Sequence, residues 1–158
     1  MKYRLLVMDV DGTLTDGRLY IGNSGEIMKA FDVRDGYGIV RFRQCGGIPA
    51  IITGRRSEIV ERRCVELGIT ELHQGAEDKL STLREMAERL KIRREEIAYI
   101  GDDENDIDCM EYAGFSACPR DAAESVRRGV DYVCSADGGR GAVRELINHI
   151  LSACAPHE

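Results

Sequence analysis

The apolar residues of this chain come in short unbroken runs rather than in alternation with polar ones. RLLVMDV (4–10), IPAIIT (48–53), IAYIG (97–101) and FSACP (115–119) are the clear cases, with TELH (70–73) and DYVC (131–134) as shorter candidates. A strand that is apolar on both faces has to be covered on both faces, which is the condition of a parallel sheet between two helical layers. Helical periodicity fills the gaps. Residues 57–67 place Val60, Cys64 and Leu67 on one face, with Ser57 as the cap and Gly68 as the stop. Residues 79–91 do the same with Leu80, Leu83, Ala87 and Leu90, and residues 139–154 with Val143, Leu146, Ile147, Ile150, Leu151 and Cys154. Alternating strands and helices predict an α/β fold, a doubly wound parallel sheet of the Rossmann-like kind. One insertion breaks the alternation: RLYI and EIMKAFDV flank the turn GNSG, a β-hairpin over about 18–32. With 158 residues and no linker or repeat, the expectation is one domain over 1–158.

Composition narrows the partners. The net charge of −6 and the lack of a basic tract argue against nucleic acid. No apolar run approaches the ~20 residues a bilayer requires, and the N-terminal apolar stretch is short and broken by acids, so a cytoplasmic location without membrane contact is expected. None of the six cysteines forms a CxxC pair, which favours free buried thiols over a zinc site or disulfides. His73, His149 and His157 have no ligand spacing and are expected to be solvated or hydrogen-bonded.

The polar residues that end the apolar runs carry the chemistry. Doubly wound folds bind ligands at the carboxyl ends of their strands, near the switch in strand order. The first run ends in Asp9 and Asp11, the second in Thr53 followed by Gly54 and Arg55, the third in Asp102, Asp103 and Asp106; Lys79 opens a helix on the same side. Carboxylates a few ångströms apart repel by ~4 kcal/mol per pair at an effective dielectric near 20, so the cluster calls for a cation. Oxygen donors without His or Cys suit Mg²⁺, which shares its shell with phosphate oxygens. Thr53 and Lys79 then add a hydroxyl and a positive charge for a transferring phosphoryl group. Asp9 is placed to attack phosphorus, and Asp11 to protonate the leaving alkoxide and afterwards activate water. Gly12 lets the backbone turn close to the phosphate. Each residue alone has an ordinary reading: Asp-x-Asp-Gly is a common turn, and Asp102–Asp103 a common helix cap. The ordered set, with each member at a strand end or helix start, points to phosphoryl transfer.

This set resembles the haloacid dehalogenase superfamily, with DVDGT (9–13), Thr53, Lys79 and GDDEND (101–106) in the positions of its four motifs. The resemblance implies the haloacid dehalogenase fold, Asp9 as nucleophile, Asp11 as acid/base, and Mg²⁺ held by the Asp9 side chain, the Asp11 carbonyl and Asp102, with Asp103 and Asp106 supporting. Only 41 residues lie between Asp11 and Thr53 and 22 between Lys79 and Asp102, which leaves room for a hairpin flap but no cap domain. FDVRDGYGI (31–39), TGRRSEIVERRCVELGI (53–69) and GGRGAVRE (138–145) are similar to the capless 3-deoxy-D-manno-octulosonate 8-phosphate (KDO 8-P) phosphatases. That likeness implies hydrolysis to KDO and inorganic phosphate through an aspartyl phosphate, as a step in making a lipopolysaccharide sugar. It also implies a homotetramer in which the hairpin and C-terminal tail of neighbours help enclose each site, although the tail here, LSACAPHE, is short. Substrate contacts would come from Thr53, Gly54, Arg55, Lys79 and Arg140, the two arginines facing a carboxylate or phosphate. Arg34 and Asp35 are further candidates, with Asp35 doubling as a cap for the following helix. Three other readings remain. One is a nine-carbon 2-keto-3-deoxy acid 9-phosphate phosphatase, which Arg55 disfavours. Another is a phospho-acceptor receiver domain, whose chain order of acids, Thr and Lys differs from this one. The third is an assembly domain with little turnover.

Overall fold

The computed structural model describes residues 1–152; the expected end of the last helix at 154, Cys154, His157 and the tail lie outside the described residues. Six parallel strands form one sheet: β1 (Leu5–Met8), β4 (Ile48–Thr53), β5 (Glu71–Gln74), β6 (Ile97–Ile100), β7 (Phe115–Cys118) and β8 (Tyr132–Val133). Their spatial order is β5-β4-β1-β6-β7-β8. β1 runs between β4 and β6, with Leu5 opposite both Ile48 and Ile97 and Met8 opposite Ile51 and Ile100. The order reverses at β1, so the crevice of a doubly wound sheet opens at its carboxyl end.

Burial on both faces explains the unbroken apolar runs. Leu6 and Met8 point into a core shared with α1 (Val33–Gln44), α2 (Glu58–Leu67) and α6 (Ala142–Ser152). Leu5 and Val7 point into the opposite core, against α3 (Lys79–Leu90) and α4 (Ile107–Tyr112). All four β1 side chains are fully buried. A short helix, α5 (Glu124–Arg127), follows β7. The expected caps are in place: Ser57 accepts from Val60 N, and Gly68 closes α2 at φ +69°.

The hairpin forms a separate two-stranded sheet from β2 (Tyr20–Gly22) and β3 (Gly25–Met28). Its second strand is shorter than the sequence suggests, because the Asp32 carboxylate takes Arg34 N at 2.7 Å and starts α1. The sequence gives α1 only as a helix following Asp35, without bounds, since Gly36 and Gly38 lower its helical propensity. Asp35 does not cap it. Its carboxylate instead accepts from Arg144 N at 2.8 Å, in the first turn of α6. Among the described residues five cysteines are free thiols, and four of them are buried, but Cys45 is exposed. His73 meets Glu71 at 3.3 Å, and His149 stacks on Tyr132 at 4.5 Å between ring centroids. Among the described residues no helix is long and apolar enough to cross a membrane.

Candidate active site

At the end of β1 the ladder continues one residue, with Asp9 N donating to Ile100 O at 3.0 Å, which fixes the direction of the Asp9 side chain. The chain then folds back: Thr13, Leu14 and Thr15 all donate their N–H to Val10 O. Gly12 makes the turn at φ +91°, and a Cβ there would lie 2.0 Å from Asp102 Oδ2. No L side chain fits that backbone and that space together. The turn is supported from behind by residues 138–139. A Cβ on Gly138 would fall 1.9 Å from Gly12 O, and Gly139 N donates to Thr13 O at 3.0 Å.

Asp9, Asp11, Thr53, Gly54, Arg55, Asp102, Asp103 and Asn105 line one cleft of about 200 Å³. Lys79 reaches its floor from the first turn of α3. Its Nζ lies 2.9 Å from Asp9 Oδ1 and 2.9 Å from Asp106 Oδ1. Burial works against this ammonium, but the two carboxylates more than offset it and hold its pKa above the usual lysine value. Asp9 is pushed up to about 6, first by burial and then by the charge of Asp106, against the pull of Lys79. Asp102 is pushed up to about 8 by burial and by the charges of Asp9 and Asp106, with a 3.0 Å bond from Thr13 Oγ1 working the other way. These are carboxyls crowded together with too little positive charge.

Carboxylate oxygens of Asp9, Asp102 and Asp106 come within 4.8 Å of one another, a hard-oxygen set suited to a divalent cation such as Mg²⁺. Asp106 is nevertheless a poor ligand. Its Oδ1 takes Lys79 and the Tyr99 hydroxyl (2.7 Å), and its Oδ2 takes the N–H groups of Asp102 (3.1 Å) and Asp103 (3.4 Å). It braces the loop that carries Asp102, and leaves Asp9 and Asp102 to face a cation. Asp103 lines the cleft but also caps a 3-10 turn by accepting from Glu104 N at 2.8 Å.

The remaining candidates separate. Arg55 is at the cleft, its Nε 3.9 Å from Asp11 Oδ2. Arg140 is not: it lies with Arg34 and Arg144 in another surface depression. Arg34 is occupied structurally, paired to Asp32 and donating to Arg140 O at 2.9 Å. Asp35 is almost wholly buried and faces α6 rather than the cleft. Sequence reasoning missed Tyr99, hidden in an apolar run, and Lys29, a lone charge in the hairpin whose Nζ lies 2.6 Å from Asp11 Oδ1. Neither has a local pattern that would single it out.

Comparison with known proteins agrees with this geometry. Residues 65–146 match the family model described as haloacid dehalogenase-like hydrolase. The 3-deoxy-D-manno-octulosonate 8-phosphate phosphatase KdsC of Escherichia coli (strain K12) is 49% identical over 150 residues, covering 95% of this chain and 80% of that protein. A crystal structure of the Moraxella catarrhalis 3-deoxy-D-manno-octulosonate 8-phosphate phosphatase, in complex with magnesium ion, phosphate ion and KDO, superposes with a TM-score of 0.93. It is 43% identical and covers 96% of this chain and 87% of its own. The cobalt-bound phosphatase from Haemophilus influenzae gives a TM-score of 0.94 at 38% identity, over 96% and 89% of the two chains.

Proposed function

Because the chain belongs to the haloacid dehalogenase-like hydrolases, among the 3-deoxy-D-manno-octulosonate 8-phosphate phosphatases, we propose that it hydrolyses the 8-phosphate of that eight-carbon acid to KDO and inorganic phosphate. The observation that carries the reading is the cleft at the switch point, where buried Asp9 is fixed by Lys79 and faces Asp102. Asp9 attacks phosphorus and becomes an aspartyl phosphate, while Asp11 gives a proton to the departing sugar oxygen. Asp11 then takes a proton from water as that water attacks the acyl phosphate, which frees Asp9 and phosphate. Lys79 and Thr53 hold phosphoryl oxygens during both steps. Mg²⁺, held by the Asp9 carboxylate, the Asp11 carbonyl and Asp102, supplies further positive charge to the phosphoryl group when bound.

Arg55 is the candidate partner of the sugar acid's carboxylate, since it stands at the cleft mouth. Arg140 reaches a substrate only if a second protomer brings one to it. A cytoplasmic homotetramer serving lipopolysaccharide sugar synthesis, with sites shared between subunits, fits the open cleft and the exposed Leu19, Ile21, Ile27 and Met28 of the hairpin. The test is turnover of the eight-carbon 8-phosphate beside that of a nine-carbon 9-phosphate acid, with Mg²⁺ saturating. Preference for the former is expected; a poor eight-carbon substrate overturns the substrate assignment and leaves the mechanism standing. Asp9→Asn is expected to abolish phosphate release while keeping the wild-type fold, and appreciable residual turnover contradicts covalent catalysis.

A further inference from the structure

The hairpin reaches the catalytic cleft through Lys29. Lys29 follows β3 directly, and its side chain is 2% exposed although Ile27 and Met28 just before it are open to solvent. Its ammonium lies 2.6 Å from Asp11 Oδ1 and 2.9 Å from Glu26 Oε1. Glu26 in turn accepts a hydrogen bond from the Ser57 hydroxyl, and Ser57 is the cap of α2. The series Ser57–Glu26–Lys29–Asp11 thus runs from a fixed helix end, through the hairpin, to the carboxylate beside the nucleophile.

We propose that Lys29 is a positioning residue for Asp11, fixing the carboxylate rotamer so that its other oxygen, Oδ2, delivers the proton to the leaving group. The inference rests on Asp11 being the acid of the reaction. An ammonium bonded to Oδ1 leaves that oxygen no part in proton transfer. The other oxygen stands on the Arg55 side, in the cleft both residues line. In the step concerned, the Oδ2–H bond breaks and the proton passes to the ester oxygen. That oxygen keeps the electron pair of the breaking P–O bond and leaves as an alcohol, and Asp11 is left as a carboxylate. Without Lys29 the Asp11 side chain is free to turn, and the near-attack geometry is lost. A hairpin held only for stability makes no such demand on the leaving group.

The experiment compares kcat/KM, which ends at the first irreversible step, for the sugar-acid 8-phosphate and for p-nitrophenyl phosphate. The aryl leaving group departs without a proton. Lys29→Met is expected to cost about tenfold or more on the alkyl ester, a part of the ~10²–10⁴-fold that acid catalysis supplies, and under about threefold on the aryl ester. Lys29→Arg is expected to recover part of the alkyl rate. Equal losses on both esters make Lys29 a mere tether and overturn the proposal. Asp11→Asn is the control that separates the two readings. If it lacks the alkyl-selective loss, Asp11 is not the acid; if it shows that loss and Lys29→Met does not, the positioning role alone fails. Should Lys29→Met not fold, Glu26→Gln carries the same comparison. A smaller loss, still selective for the alkyl ester, is expected there, and a loss without selectivity overturns the proposal.

Discussion

Asp106→Asn isolates the internal bracing of the site, because four donors converge on a carboxylate that faces no open cleft. Lys79 Nζ at 2.9 Å and Tyr99 OH at 2.7 Å meet one oxygen, and the N–H groups of Asp102 at 3.1 Å and Asp103 at 3.4 Å meet the other. An amide offers one oxygen and one NH₂. Facing NH₂ toward the Lys79 ammonium is the worse choice, so the oxygen stays with Lys79 and Tyr99. The two backbone donors are then orphaned. At ~1–3 kcal/mol for each buried donor, with the longer Asp103 bond counting at the low end, the loss is about 2–4 kcal/mol. An opposing effect depends on the cation. Removing the Asp106 charge relieves repulsion on Asp9 and Asp102, both of which it helps push up in pKa. Bound Mg²⁺ already offsets that repulsion, so the relief counts mainly when metal is chelated. With saturating Mg²⁺ the variant is expected to lose about 3 kcal/mol by urea unfolding, or about 6–12 °C in Tm for a chain of this length. In EDTA the loss is expected to fall below half of that. A loss under about 0.5 kcal/mol in Mg²⁺, typical of a neutral surface substitution, or an equal loss in both conditions, refutes the reasoning.

Two further outcomes are expected. Burial, with some help from the Asp32 charge, raises the Asp35 carboxyl from 3.8 to about 6 against the Arg144 N–H bond. The folded state therefore binds this proton more tightly than the unfolded chain; the stabilisation is full below pH ~4 and is lost as pH rises through ~6. Relative to wild type, Asp35→Asn should gain stability by up to about 3 kcal/mol between pH 4 and pH 8, read as the difference between two urea-unfolding series; parallel series would rule this out. Gly12→Ala forces a Cβ to within 2.0 Å of Asp102 Oδ2 at φ +91°. It is expected to cost about 1–2 kcal/mol in backbone strain alone and, by displacing Asp102, to weaken Mg²⁺ binding measurably by calorimetric titration. Wild-type Mg²⁺ affinity in a folded Gly12→Ala protein would show that Asp102 is not a ligand.

What the sequence disclosed followed from local pattern. Leu5–Met8 reads as a doubly buried strand because all four side chains are apolar, and Ser57 and Gly68 bracket α2 by their own chemistry. Asp9, Thr53 and Asp102 were recognisable because each sits one step past or at the end of such a run. The extent of helix α1 was hidden because Gly36 and Gly38 serve its packing: a Cβ at Gly38 would meet Arg144 Cα at 3.3 Å. Lys29 and Tyr99 were hidden because their partners, Asp11 and Asp106, are brought to them by tertiary structure alone. The same holds for Arg34 and Arg140, whose motif membership could not tell a cleft residue from one on another face.

The close stacking of the Gly12 peptide on Gly138 has an evolutionary consequence. Where two side chains touch, a larger one can be balanced by a smaller one opposite. Here main chain meets main chain, so neither position has volume to trade. The spacing between the nucleophile's loop and the segment leading into α6 is thereby set by peptide dimensions, and drift cannot retune it gradually. New specificities in such a scaffold have to be written where side chains still have slack, at position 55 and along the hairpin.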